Sequence, residues 1–286
     1  MAIIVNTNMS ALKTQANLNK ATNGLNSALE RMSTGLKINS AKDDAAGLYV
    51  ATKMETQIRG NKVAQNNIST ASNVLATAEG DLDTILEHLN RVRDLAVQAA
   101  NSIYDEDSME AMSKEVEARL DEIDRVANAS NFNGLKLLGG AGAAGDKLTE
   151  LRVQVGANQE LPANRILVSD VFGDTTSAGL QIEATSIDAF KASTDAAAYI
   201  TTIDNAIKTV ANKKSSIGAY QNRLDAALDS LTTTIENATA AKSTIMDADI
   251  AKESMDYTRQ QILQQTSSAL LAQANQLPAI ALNLIQ

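Results

Sequence analysis

Cysteine and tryptophan are absent from the 286 residues, histidine occurs once, proline twice, and only eight side chains are aromatic, five Tyr and three Phe. Without cysteine there is no disulfide framework, no thiolate metal cluster and no cysteine nucleophile in any compartment. The single histidine, His88, excludes a histidine metal cluster within one chain. Aromatic side chains bury large areas apiece, so a chain this long with so few of them is not expected to close around one thick core. Long thin helices are expected instead. The formal charge of −9, from 25 basic and 34 acidic residues, gives no sequence-wide reason to bind nucleic acid or an anionic membrane. No stretch approaches the ~18 apolar residues of a membrane span. The N-terminus reaches its first basic residue only at Lys13 and has no continuous apolar h-region, so no cleaved signal peptide is expected.

What is present is periodicity. Ile68, Ala71, Leu75, Ala78, Leu82, Ile85, Leu89, Val92, Ala96, Ala99 and Ile103 follow one another at spacings of three and four, the a/d seam of a coiled coil. At ~1.5 Å per residue such a helix is about 54 Å long. Met109, Met112, Val116, Leu120, Ile123 and Ala127 make a shorter second register. Ile200, Ile203, Ile207, Val210, Ile217, Leu224, Leu228, Leu231, Ile235, Ala238 and Ile245 keep the rhythm in the second half, with Lys214, Gln221 and Lys242 at intervening seam positions. That helix would run roughly 70 Å, against a diameter of roughly 50 Å for a compact globule of this length. The expected fold class is mainly α: an elongated antiparallel helical bundle or coiled coil with a small β-hairpin region and paired N- and C-terminal helices.

Both termini carry stripes that want partners. Leu18, Leu25, Leu29, Met32 and Leu36 line the first, while Leu263, Leu270, Leu277 and Leu284 recur every seven residues in the last. Residues 1–40 hold four bases and one acid, and residues 245–286 hold four acids and two bases. Opposite charge favours their pairing, though exposed ion pairs are individually weak. An apolar face that one helix cannot bury alone leaves isolated chain ends poorly ordered, so the ends are expected to order on assembly.

Residues 128–194 break the pattern. Asn133-Gly134 signals a turn, Leu151, Val153 and Val155 alternate with Arg152 and Gln154 as in a strand, and Val168–Val171 and Leu180–Ala184 are further strand candidates. Gly140, Gly142 and Gly145 match the letters of a dinucleotide fingerprint. They precede a strand pattern, however, where the fingerprint must end one and open a helix, so a flexible linker is expected. His88 falls between seam residues as a solvated helix position. Asp43-Asp44 and Asp247-x-Asp249 each precede a helical pattern and are expected to cap it rather than hold a cation. The run from Asp105 to Arg125, nine acids and three bases, reads as a solvated face, and the methionines as packing residues. No catalytic constellation, cofactor or metal site emerges, and an enzyme is not expected.

Val5-Asn6-Thr7-Asn8 and the stretch Ser33-Thr34-Gly35-Leu36-Lys37-Ile38-Asn39-Ser40-Ala41-Lys42-Asp43-Asp44-Ala45-Ala46-Gly47-Leu48 closely resemble bacterial flagellin. Further matches are Arg91-Val92-Arg93-Asp94-Leu95-Ala96-Val97-Gln98, Glu122-Ile123-Asp124-Arg125, Phe132-Asn133-Gly134 and Asp247-Ala248-Asp249. Gln261-Ile262-Leu263-Gln264-Gln265 and Leu271-Ala272-Gln273-Ala274-Asn275-Gln276 complete the set. The resemblance covers residues 1–140 and 190–286 in the family's order.

The resemblance implies a structural subunit that polymerises into the flagellar filament for motility. It implies a filament-core domain of residues 1–44 and 246–286, whose terminal stripes polymerise, and a rod domain of 45–245 with a β excursion at about 130–190. Large outer domains, inserted in many relatives, look absent. Implied partners are further copies of the chain, the flagellar cap, hook–filament junction proteins and an export chaperone, with extracellular placement after type III export. Arg91, Leu95 and Glu115 look similar to the epitope of the flagellin-sensing Toll-like receptor. A departure is the neutral final Gln286, where many relatives carry Arg. The nearest rival reading is a hook–filament junction protein, which shares the terminal motifs. A coiled-coil signalling module is the other, and it predicts a nearby membrane span and no β excursion.

Overall fold

The computed structural model describes residues 7–139, 147–159, 163–182 and 193–283. The expected mainly α fold is what it has. Helices α1 (Met9–Thr34), α2 (Ala45–Ala99) and α3 (Glu106–Ala129) precede two antiparallel hairpins. These are β1 (Asn131–Phe132) with β2 (Leu135–Lys136), and β3 (Leu151–Gln154) with β4 (Arg165–Val168). Helices α4 (Ser193–Met246) and α5 (Ile250–Asn283) follow. The chain divides into two compact units, one of residues 58–235 and one of residues 1–57 with 236–286.

In the 58–235 unit the seams do what their spacing promises. Ile68, Leu75, Leu82, Ile85 and Leu89 of α2 are fully buried together with Ile123 of α3 and Ile203, Ile217 and Leu224 of α4. Burial of this apolar area, at roughly 25 cal/mol per Å², is what holds helices whose aromatic content is so low. The polar residues that interrupt the α4 seam have partners on α2. Lys214 pairs with Asp83, and Gln221 Nε2 donates to Glu79 at 3.1 Å. Arg93 on α2 meets Asp204 at 2.6 Å, so ionic contacts run alongside the apolar seam.

The expected α2 seam ends early. Ile103 lies beyond the helix and is exposed, because the chain turns after Ala99 and Asp105 caps α3, accepting from Ser108 N at 3.2 Å. The second short register lies wholly within α3, with Met109, Met112, Val116, Leu120, Ile123 and Ala127 all buried.

The second hairpin and the segment after it add side chains to this same core: Val153, Ile166 and Val168 from the strands, and Val171 and Phe172 beyond them. The strand candidate at Val168–Val171 is displaced, since β4 is Arg165–Val168 and the chain then bends through Asp170 at φ 65°. Leu180 and Gln181 form a turn rather than a strand, with Gln181 at φ 61° and Ile182 N donating to Ser177 O at 3.0 Å. Ala184 and the glycines 140, 142 and 145 lie outside the described residues. Lys213 of α4 donates to Val171 O at 3.3 Å, and its burial pushes the ammonium pKa down.

Candidate assembly surface

The second unit is organised by the two terminal helices. Helix α1 ends in a left-handed Gly35 (φ 70°), a conformation that costs glycine nothing. The chain leaving it meets the chain between α4 and α5. Lys37 N donates to Met246 O at 2.6 Å and Ala248 N to Gly35 O at 2.9 Å, with Leu36 bridged to Asp247. From this corner α1 and α5 run antiparallel in one register. Arg31 lies 3.5 Å from Glu253, Gln264 donates to Thr22 at 3.2 Å, and Asn8 Nδ2 donates to Ala274 O at 2.7 Å. Asn8 also caps α1 by accepting from Ala11 N.

Of the paired acids, Asp44 and Asp249 cap helices as expected, whereas Asp43 and Asp247 do not. Asp44 accepts from Ala46 N and Gly47 N at the start of α2, and Asp249 from Ala251 N and Lys252 N at the start of α5. Asp43 accepts from Ser40 Oγ, Ser40 N and Asn39 N, and the Ser40 bonds hold its carboxyl below the usual range. Asp247 accepts from Ser243 Oγ. No cluster suited to a metal ion occurs among the described residues.

The most buried positions on α1 and α5, Glu253 apart, are small side chains, with leucines only partly covered. Ala21 and Ala28 of α1 and Ser267 and Ala274 of α5 are buried, each pair seven residues apart. Leu18, Leu25, Met32 and Leu36 are half-buried. Leu29, Leu263 and Leu270 are 53%, 46% and 51% exposed. Leu277 belongs to α5, though its side chain is outside the described residues, as is all of Leu284. A groove between the helices is lined by Leu18, Thr22, Gln264 and Ser268. At 100° per residue, Leu263 and Leu270 lie about 40–60° round α5 from Ser267, on the side away from Gln264. Sequence reading centred on leucine missed the small-residue seam, although the heptad spacing of Ala21 with Ala28 and of Ser267 with Ala274 was there to be read.

In the other unit Arg91 and Glu115 do meet, Nε to Oε1 at 2.9 Å, on the exposed side of α2 and α3. That hydrogen bond raises the Arg91 pKa and lowers that of Glu115. Leu95 is not beside them on the surface; it is buried in the core. His88 is half-buried rather than freely solvated, with Arg119 Nη1 3.4 Å from its Nδ1. No described helix is long and apolar enough to cross a membrane.

Residues 5–143 match the model of the bacterial flagellin N-terminal helical region, and residues 200–285 that of the C-terminal helical region. The flagellar filament 30.7 kDa core protein of Treponema maltophilum is 38% identical over 279 residues, covering 96% of both chains. Flagellin of Bacillus subtilis strain 168 is 36% identical over 303 residues, covering 99% of both. Among solved structures, a putative flagellar hook-associated protein from Vibrio parahaemolyticus shares the fold, with TM-score 0.57 and 19% identity over 72% of this chain and 100% of that one.

Proposed function

The chain belongs to the bacterial flagellins and is a structural subunit that polymerises into the flagellar filament; from that premise we propose that α1 and α5 are its polymerising element. The observation that carries this reading is the division of labour on the pair. Small residues are, with Glu253, the most buried positions on the pair, and Leu29, Leu263 and Leu270 are left about half exposed. Exposed apolar stripes of this kind are stabilised by burial against a second surface. The two stripes are also unlike. Leu18 borders the groove between the helices, whereas Leu263 and Leu270 lie on the opposite flank of α5 from Gln264. Two different surfaces on one subunit join head to tail, and a head-to-tail contact that does not close gives an open helical polymer.

Ordering of the terminal helices and subunit docking are then one coupled step, because the area that stabilises the helices is buried only in the polymer. Residues 1–44 and 246–286 make the filament core in this reading, and 45–245 the rod. The work is structural and no reaction is catalysed. Export through the type III apparatus without signal cleavage places the subunit outside the cell. The cap, junction proteins and an export chaperone are its partners by family resemblance. The exposed Arg91–Glu115 pair is the receptor-facing part of the epitope, with Leu95 supporting it from within.

Deleting residues 263–286 tests the assignment. The 58–235 unit should stay helical by circular dichroism while the chain sediments as a monomer. Filaments formed by the truncated chain would overturn it.

A further inference from the structure

Helices joined through small residues repeated every seven positions have a register problem. On α1 the inward positions are Ala21 and Ala28, and on α5 they are Gln260, Ser267 and Ala274 in heptad succession. Sliding α5 by one heptad exchanges Ser267 for Ala274 or Gln260, and half-buried Gln264 for Leu271 or Tyr257, all of them uncharged, so no charge on this stretch of the seam opposes the slip. Gly24 does not settle the matter. A Cβ there would lie 2.8 Å from Gln260 Cδ, so the gap at Gly24 is filled by Gln260. After a slip it would receive Ser267, which is smaller, or Glu253, which is nearly the same size.

One seam position is chemically different. Glu253 continues the α5 heptad, is only 7% exposed, and faces Arg31 at 3.5 Å. Its Oε2 makes no hydrogen bond among the described residues, so Arg31 is the countercharge that keeps a buried carboxylate tolerable. Removing one partner of such a pair strands the other. The two residues are also placed where each helix favours its charge. Arg31 is in the last turn of α1, at the negative end of its dipole, and Glu253 in the first turn of α5, at the positive end. Gly35 N, the cap that ends α1, donates to Arg31 O at 2.9 Å, which ties the arginine to the corner that joins the chains.

We propose that Arg31 and Glu253 are the register lock of the terminal helix pair: a slip of seven residues one way would put Gln260 opposite Arg31 and carry Glu253 past the end of α1, and a slip the other way would seat Glu253 at Gly24 without a cation. A single buried polar position is known to select register in coiled coils at some cost in stability. Together with the backbone bridge between Gly35–Lys37 and Met246–Ala248, the lock decides which part of α5, and therefore which leucines, each subunit offers its neighbour. The inference rests on α1 and α5 being the polymerising element.

The chain has no cysteine, so introduced thiols report register cleanly. Thr22→Cys with Gln264→Cys marks the native register, and Thr22→Cys with Tyr257→Cys or Leu271→Cys marks a slip of one heptad either way. Tagged variants are mixed as a minor fraction with unmodified chain, polymerised, and treated with a short bismaleimide. With the lock intact, cross-linking is confined to the Thr22→Cys, Gln264→Cys pair. In Arg31→Glu or Glu253→Arg chains a slipped pair cross-links, or entry into the pelleted filament falls at least tenfold, and the double swap restores both entry and the native pattern. Glu253→Gln, which keeps the shape without the charge, should show partial loss of register selection. Single reversals that enter the filament in native register, or a swap that restores nothing, would overturn the lock. Entry into filaments of a chain lacking residues 263–286 would instead count against α1 and α5 as the polymerising element, so the two failures are distinct.

Discussion

The Asp124 carboxylate on α3 holds Ser177 with both oxygens, accepting from its backbone N at 2.6 Å and from its hydroxyl at 2.8 Å. Ser177 is fully buried, 53 residues along the chain, in the turn whose Ile182 enters the core. The pair is therefore a clasp between the helical core and the segment after β4. Asp124→Ala would leave a buried N–H without its acceptor, which costs about 1–3 kcal/mol, more where the lost acceptor is charged. A loss of about 2–3 kcal/mol in urea unfolding is expected, and about half of that for Asp124→Asn. Unchanged stability would mean that the clasp contributes nothing.

Gly60 and Ala157 test the seating of the loop that follows β3. A Cβ on Gly60 would lie 2.6 Å from Ala157 Cβ and 3.2 Å from its Cα, atoms that no side-chain rotation can move aside. Alanine gains about 0.8–1 kcal/mol of helix propensity over glycine, but overpacking typically costs about 1–3 kcal/mol. Gly60→Ala should be net destabilising by about 1 kcal/mol. Gly80→Ala is the matched control on the same helix, with open space around the new methyl, and should be stabilising. Thermal melts in which both variants gain stability would refute the close approach.

The helices were legible because Leu75, Leu82 and Leu89, like Ile203, Val210, Ile217 and Leu224, are buried within the chain itself, where apolar spacing reports packing directly. The same rule misreads the termini. Leu263 and Leu270 stay about half exposed on the single chain, so their periodicity marks a flank, while Ala28 and Ser267 are the buried positions. Asp170 and Gln181 shifted or abolished strands because a positive φ is not advertised by those residue types as it is by glycine. Ile103 kept the seam spacing beyond the turn after Ala99, where only the cap at Asp105 signalled the break. Asp124 lay inside a recognised motif, yet its partner Ser177 could be found only in three dimensions.

Acid should weaken the Arg91–Glu115 contact in a defined direction. The hydrogen bond from Arg91 holds the Glu115 pKa below its ordinary value. Between that lowered value and the ordinary glutamate value of about 4.3, the unfolded chain binds more protons than the folded one, so stability rises with pH across the window. The contribution is complete above it and is lost as pH falls through it. Melting temperatures of the native chain and Glu115→Gln should therefore differ at pH 7 and converge near pH 3. The gap should be small and should shrink with salt, since the pair is exposed. A gap that widens on acidification would contradict the assignment.

Neighbouring residues on α1 offer the sharpest separation of pairing from polymerisation. Ala28 is 1% exposed against α5, and Leu29, the next residue, is more than half exposed. Ala28→Leu adds a branched side chain where there is no room, forcing α1 and α5 apart at a typical cost of about 1–3 kcal/mol. It should abolish both the Thr22-to-Gln264 proximity and filament growth. Leu29→Ser removes an apolar side chain that the single chain leaves in water, so the pair should survive. Growth should nevertheless slow under the proposed assembly, in which a neighbouring subunit covers Leu29, because burial of a leucine stabilises by about 1.5–3 kcal/mol. Seeded growth followed by sedimentation, with cross-linking of the two marked positions, reads both effects together. If Leu29→Ser breaks the pair while Ala28→Leu leaves it intact, the small-residue seam is not the contact and the leucines are.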